Sequence, residues 1–118
     1  MPNYEPSYAP RVRVEVYFPV RDEHVYKHYL EWLIDELTRV HGGCTVLEDM
    51  GGYYDSDTQG VVADRVNVVY SDVKLNWSEV VDRAEVLDYC AKLRQFLLEK
   101  LWEEDVLISA YPVSHVSQ

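Results

Sequence analysis

The sequence contains few of the residues from which disulfide-rich, metal-clustering and phosphate-loop proteins are built. It has two cysteines, Cys44 and Cys90, too few for a disulfide framework and too far apart for a paired-cysteine motif. It has five glycines, and neither glycine pair, at 42–43 or 51–52, has the spacing or the following Lys and Ser or Thr of a phosphate-binding loop. A chain of 118 residues buries enough surface to fold without a metal or a disulfide. Both cysteines lie at apolar positions of predicted elements, so we expect buried thiols.

Basic residues and long apolar runs are also scarce. The chain has 11 Lys and Arg against 21 Asp and Glu, for a formal net charge of −10. The charge is spread without any basic block, which argues against nucleic-acid or anionic-membrane partners. No apolar run approaches the roughly 18 residues of a membrane span, and Met1–Pro10 lacks the pattern of a secretory signal. We therefore expect a cytoplasmic protein.

The chain contains enough hydrophobic residues to form the core of one domain. Hydrophobic residues make up 47% of its 118 residues, an ordinary globular fraction for one domain. Residues 1–10 contain three prolines and two tyrosines, which predicts an extended N-terminal arm. The folded domain is expected over residues 11–113, with a C-terminal tail at 114–118.

Hydrophobic periodicity predicts the elements of this domain. Alternating or β-rich apolar runs predict four strands, at 11–20, 44–54, 61–71 and 106–113. Spacings of three and four predict two helices, at about 23–41 and 76–102. The second helix is expected to bury one stripe of apolar residues: Val80, Ala84, Leu87, Cys90, Leu93, Leu97 and Leu101.

Capping and turn residues predict where these elements begin, bend and end. Asp22 is the expected N-cap of the first helix, and Asn76 with Glu79 forms a predicted capping box for the second. Gly42 or Gly43 is expected to end the first helix in the left-handed conformation. The Gly51–Gly52 pair predicts a bulge or a bend in the second strand, ahead of a hairpin loop.

The order β-α-β-β-α-β predicts a ferredoxin-like α+β sandwich, a four-stranded antiparallel sheet with two helices on one face. The other sheet face would then be open. It is expected to carry a mixture of polar, aromatic and aliphatic residues: Arg13, Glu15, Tyr17, Asn67, Val69, Leu107, Ser109 and Tyr111. This composition predicts a homo-oligomer assembled through the open sheet face.

One candidate ligand site lies in the central hairpin. Gly51 and Gly52 supply flexible backbone, and Tyr53 and Tyr54 supply two aromatic rings beside an acidic loop. A bulge in the strand explains the two glycines without a ligand.

A candidate metal site lies on the first helix. His24 and His28 are four residues apart, and Glu31 continues the same helix face, so the three could hold a divalent ion. However, the inner glutamate of the zinc-protease motif is missing and Lys27 is an unfavourable neighbour for a cation. A solvated polar face is the preferred interpretation.

No catalytic set is legible, and two functional hypotheses follow. The preferred one is a non-enzymatic, oligomeric module without a cofactor that binds a small ligand or a protein partner. The alternative is a small enzyme of the dimeric ferredoxin-like barrel type, with His24, His28 or His115 carrying a proton near neutral pH. The enzyme requires a pocket with a buried histidine, and the module does not.

Two stretches, Gly42–Leu47 continuing to Gly51–Tyr53 and the ending Asp105–Val113, give the chain a family resemblance. Together with the element order, they resemble small bacterial ferredoxin-like proteins. PII signalling proteins and the trimeric CutA-type proteins share this topology and its long central hairpin. The resemblance covers residues 11–113 as topology alone. It transfers no catalytic or binding residue, and a shared fold does not imply a shared function.

Overall fold

The computed structural model of the chain describes residues 7–117, so most of the predicted N-terminal arm, including Pro2, Tyr4 and Pro6, lies outside the described residues. The elements are β1 (Ser7–Pro19), α1 (His24–His41), β2 (Thr45–Ser56), β3 (Gly60–Val73), α2 (Val80–Lys100) and β4 (Ile108–Ser117). The strands form one antiparallel sheet of order β2-β3-β1-β4. This arrangement confirms the predicted ferredoxin-like α+β fold.

The core lies between one face of the sheet and the two helices. Val12, Val14 and Val16 of the central strand β1 are 0% exposed and Phe18 is 1% exposed, because alternate side chains of a strand point to the same face. The helices contribute leucines to the same core: Leu33 and Leu37 from α1, and Leu93 and Leu97 from α2. Full burial of one such side chain contributes about 1.5–3 kcal/mol, so this face supplies most of the folding free energy.

Helix α1 ends where its glycines predict. Gly42 has φ 87° and its N–H donates to the carbonyl of Thr38 at 2.9 Å, a left-handed stop that any side chain would strain. The start differs from the prediction, because Glu23 rather than Asp22 is the N-cap, and it caps without a side-chain hydrogen bond. The stop at Gly42 leaves His41 against the sheet and brings the chain into β2 within three residues.

The predicted bulge at Gly51–Gly52 is wrong, because these glycines pair regularly and the irregularity lies at 47–50. Asp49 has φ 56° there, a conformation that Asp tolerates because its short side chain can bond locally. Its N–H donates to Asn67 Oδ1 at 2.9 Å, and its carboxylate pairs with Arg65. These contacts across the hairpin fix the bulge.

Two-stranded ribbons extend the sheet at opposite ends. The pairing of β1 with β3 stops at Pro19 opposite Val66, so the rest of the β2–β3 hairpin continues alone. At the other end, 7–10 pairs with 114–117, so the strands run past the predicted domain limits and residues 114–117 of the predicted tail are part of β4. The molecule measures 58 × 31 × 27 Å as a result.

Helix α2 buries the second part of the predicted stripe, Cys90, Leu93 and Leu97 with Leu101 directly after the helix, but not the first part. Val80, Ala84 and Leu87 are exposed, whereas Val86 is 2% exposed and continues the buried row of the later leucines. The helix begins at Val80 rather than at Asn76, and two overlapping stripes both satisfy helical spacing, so only contact with the sheet selects between them. Within residues 7–117, no helix is long and apolar enough to cross a membrane.

Candidate functional site on the open sheet face

The open sheet face carries a different selection of residues from the predicted one. Val69 lies opposite Val16 and Asn67 lies opposite Phe18, so the placement of Asn67 and Val69 on the open face is wrong. The alternation of side chains in β3 separates the strand into two faces. Only the pairing register with β1 shows which of these faces meets the helices. The register places these residues on the open face: Arg13, Glu15, Tyr17, Val66, Val68, Tyr70, Asp72, Ser109 and Tyr111.

One part of this face is apolar. Leu47 pairs with Val68 and Met50 pairs with Val66, and we call these four residues the apolar half. Leu47 is 44% exposed and Met50 is 45% exposed. Val66 is partly exposed and Val68 is 9% exposed, so Leu47 and Met50 form the exposed part of this group. Exposed aliphatic side chains that adjoin one another are typical of an interaction surface.

The other part of the face is held together by Asp72. Arg13 Nε and Nη2 donate to its two carboxylate oxygens at 2.8 and 3.0 Å, and His115 Nε2 lies 2.6 Å from Oδ2. The guanidinium also stacks 4.4 Å from the centroid of the Tyr70 ring. The hydrogen bonds from Arg13 hold the pKa of Asp72 below its usual value, so an ionised carboxylate orients His115.

Glu15 organises a second group beside Asp72. The hydroxyl of Tyr17 donates to Glu15 Oε2 at 3.0 Å, and the hydroxyl of Tyr111 donates to Oε1. The pKa of Tyr17 is raised by burial and that of Tyr111 by its hydrogen bond to Glu15, so both phenols remain donors. We call the combined set the polar cluster: Arg13, Glu15, Tyr17, Tyr70, Asp72, Tyr111 and His115.

A cleft of about 340 Å³ opens beside the polar cluster. Strand β2 begins at Thr45 opposite Tyr70, so β3 has no neighbour on that side beyond Tyr70. The connection from α1 to β2, residues 42–44, forms one wall of this cleft. Its charged and titratable lining groups come from four elements and their connections: Arg11, His41, Cys44, Tyr70, Asp72, Lys74 and His115. We call this space the edge cleft.

His41 was not among the residues that the sequence marked as candidates. Its Nδ1 lies 2.6 Å from the hydroxyl oxygen of Ser71, which is 2% exposed, and its ring meets that of Tyr89 at 5.1 Å between centroids. Burial lowers the pKa of His41, against the opposing charge of Glu36. His41 lines both the edge cleft and a second cleft of about 250 Å³ beneath α2. The only sequence signal was its position directly before the Gly-Gly stop.

The predicted ligand residues Gly51, Gly52, Tyr53 and Tyr54 lie together on the projecting β2–β3 ribbon. Tyr53 is 81% exposed and Tyr54 is 52% exposed. Neither of the two clefts described above is lined by these residues. The ligand site proposed for them stays a sequence-based prediction.

The predicted metal residues His24, His28 and Glu31 are all exposed on α1. The His28 ring instead packs edge-on against Tyr29, with 4.8 Å between centroids. In the part of the chain that the structure describes, no group of three or more His, Cys, Asp or Glu side chains is placed to hold a metal ion.

The cysteines lie where apolar neighbours suppress their reactivity. Cys90 is 8% exposed, and burial raises the pKa of its thiol to about 11. Burial also raises the pKa of Cys44. Because the thiolate is the nucleophilic form of cysteine, neither residue is prepared for nucleophilic chemistry.

Comparison with known proteins adds no further assignment to this site. No protein-family model matches the sequence, and no curated protein or solved structure matches it. Because one fold hosts many unrelated functions, the ferredoxin-like architecture does not supply a function either. The function must therefore be argued from the two parts of the open face and the edge cleft.

Proposed function

We propose that this protein is a non-enzymatic, cytoplasmic binding module of the sensor or regulator type that works as a homo-oligomer. A second copy of the chain covers the open face, and the edge cleft receives a small ligand. The observation that carries this proposal is the apolar half, where Leu47 and Met50 are 44% and 45% exposed on the face opposite the helices.

A second copy suits this face because the face is self-complementary in chemistry. In a two-fold dimer the same patch meets itself, so aliphatic side chains of one apolar half pack on those of the other. Buried charge is costly when it is unpaired. Here Arg13 already pairs with Asp72, and Glu15 accepts hydrogen bonds from two tyrosines. Removing water from the polar cluster therefore costs less free energy than burying the same groups without partners.

The net charge of −10 opposes this association. Two like-charged chains repel each other through solvent, and salt screens that repulsion. We therefore expect the oligomer to strengthen as the salt concentration rises, the reverse of an assembly held by ion pairs.

Sedimentation velocity of the purified chain at low and high salt tests the oligomer. We expect a multiple of the monomer mass of 13.8 kDa, and we expect Leu47→Glu to dissociate it. Leu87→Glu is the matched control, because Leu87 is 49% exposed on α2, away from the open face. A monomer under every condition would refute the proposal, as would dissociation by Leu87→Glu alone.

A small acid–base enzyme is the second candidate, and the pairing of His115 with Asp72 in the edge cleft favours it, although His115 is 45% exposed and is not the buried histidine that this hypothesis requires. An ionised carboxylate that orients an imidazole is a common arrangement for proton transfer. A screen against small esters, amides and phosphate esters tests this candidate. Turnover that both Asp72→Asn and His115→Gln reduce, and that His28→Gln leaves unchanged, would replace the binding module by an enzyme.

A further inference from the structure

The edge cleft has an unusual charge for this protein. Its lining includes the cations of Arg11 and Lys74, two histidines, and Asp72 as its single carboxylate. That carboxylate is already bound by the bidentate guanidinium of Arg13. The cleft is therefore locally positive on a chain whose net charge is −10.

Arg11 and Lys74 also differ from most other cations of the chain. Six Lys and Arg residues form ion pairs with Asp or Glu: Arg13, Arg21, Arg39, Arg65, Lys92 and Arg94. Within residues 7–117, Arg11 and Lys74 form none, although acidic residues outnumber basic ones by almost two to one. Two cations without a carboxylate partner thus line one concave site.

The C-terminal end of α1 works against an anion here, because the last carbonyls of a helix carry partial negative charge. Arg39 in the last turn offsets part of that charge, and the N–H of Gly42 satisfies the carbonyl of Thr38. A full cationic charge at Arg11 and at Lys74 outweighs the roughly half-charge of a helix end. The electrostatic balance of the cleft therefore favours an anion.

We infer that the edge cleft binds the oxyanion group, phosphate or carboxylate, of a small molecule. This inference rests on the ligand-binding part of the proposed function and is independent of the oligomer. Guanidinium and ammonium groups form their strongest hydrogen bonds with such oxygens, and His115 adds a donor when it is protonated. A volume of about 340 Å³ is at the small end of the roughly 300–1,000 Å³ of ligand pockets, which suits a small metabolite.

Two-dimensional NMR of the full chain, titrated with inorganic phosphate and separately with succinate, tests the inference against ionic-strength-matched sodium chloride. We expect saturable shifts at the amides of the 42–45 connection, at Lys74 and at His115. Lys74→Gln and Arg11→Gln should each weaken binding roughly tenfold, the scale of one charge-assisted hydrogen bond. Lys27→Gln is the matched control, because Lys27 is exposed on α1 and lines neither cleft.

The two anions also identify the ligand class. Saturation by phosphate alone assigns a phosphorylated ligand, and saturation by succinate alone assigns a carboxylate. Shifts that grow linearly with either anion, or equal affinities in Lys74→Gln and the unsubstituted chain, would overturn the inference. The oligomeric state is measured on the same samples, so an anion-binding monomer would refute the oligomer alone, and an oligomer that binds neither anion would refute this inference alone.

Discussion

The two faces of this sheet are built from the same strands and yet are stabilised in different ways. Toward the helices, Val14 and Val16 of β1 are 0% exposed. Their neighbours Arg13 and Glu15, one residue away along the strand, point to the open face and are held by hydrogen bonds. One face is stabilised by apolar burial, which does not depend on direction. On the other face, hydrogen bonds of defined direction hold the side chains in place.

This difference separates stability from recognition. Apolar burial stabilises the fold without presenting any chemical group to solvent. The polar cluster contributes little net free energy, because each of its hydrogen bonds replaces one to water, but it fixes the positions of its charged groups. The open face can therefore carry a binding site at small cost to the fold, which makes the contrast measurable by matched substitutions.

The largest expected effect comes from the same substitution made on each face. Leu37→Ala removes a side chain that is 0% exposed, and it should lower the free energy of unfolding by about 2–5 kcal/mol. Leu47→Ala removes a side chain that is 44% exposed, and it should cost about 0.5 kcal/mol. Urea unfolding of the dilute, monomeric chain measures both. Equal losses would mean that the open face is as well buried in solution as the covered one.

A smaller effect is expected from the ion pair on the open face. Arg13→Met leaves Asp72, whose side chain is 14% exposed, without its main partner, and it should cost about 1–3 kcal/mol. Arg39→Met is the matched control, because the Arg39–Asp35 pair is 76% and 57% exposed and such pairs contribute about 0–1 kcal/mol.

The pH dependence of unfolding tests whether the charge of Asp72 causes the effect of Arg13→Met. Arg13 lowers the pKa of Asp72 in the folded chain, so the contribution of this pair is present above the ordinary Asp value of about 3.9. It is lost as the pH falls through the lowered pKa. The gap in unfolding free energy between the unsubstituted chain and Arg13→Met should therefore close at acid pH. A gap that stays constant down to the acid limb would show that the lost packing on Tyr70, and not the charge of Asp72, causes it.

The sequence predicted the covered face well because one strand and one helix each offer a single interpretation. The alternation in β1 allows only one buried side, and so does the spacing of Tyr26, Leu33 and Leu37 in α1. Glycine is the residue type that ends a helix at φ 87° without strain, and Gly42 stands there. In α2 and β3, by contrast, both sides contain apolar residues. Their orientation follows from packing and register, so the predicted placements of Leu87 and Val69 were wrong.

The polar cluster and the edge cleft could not be predicted for a related reason. His115 is 43 residues from Asp72 along the chain, and His41 is 30 residues from Ser71. The spacing of residues along the chain does not indicate such a contact, because the contact arises only when the strands pair in their register. The sequence identified Arg13 and Glu15 as open-face residues from alternation alone, and it named His115 only as one of three histidines able to carry a proton.

The smallest expected effect lies where the two faces meet, at His41. Burial lowers the pKa of this ring, so folding favours the neutral imidazole, which also bonds to Ser71. The stabilisation is complete above the ordinary histidine pKa of about 6.5. It declines as the pH falls through the lower pKa of the folded chain, because the unfolded chain then binds more protons.

His41→Gln tests this linkage, since glutamine can still bond to Ser71 but does not titrate. We expect the unsubstituted chain to lose more unfolding free energy than His41→Gln between neutral pH and about pH 5, where free histidine becomes charged. His28→Gln is the control, because His28 is exposed on the outer side of α1, and its pH profile should follow that of the unsubstituted chain. If His41→Gln shows the full pH dependence instead, the loss arises from carboxylates elsewhere, and His41 is solvated in solution at the mouth of the edge cleft rather than held against the sheet.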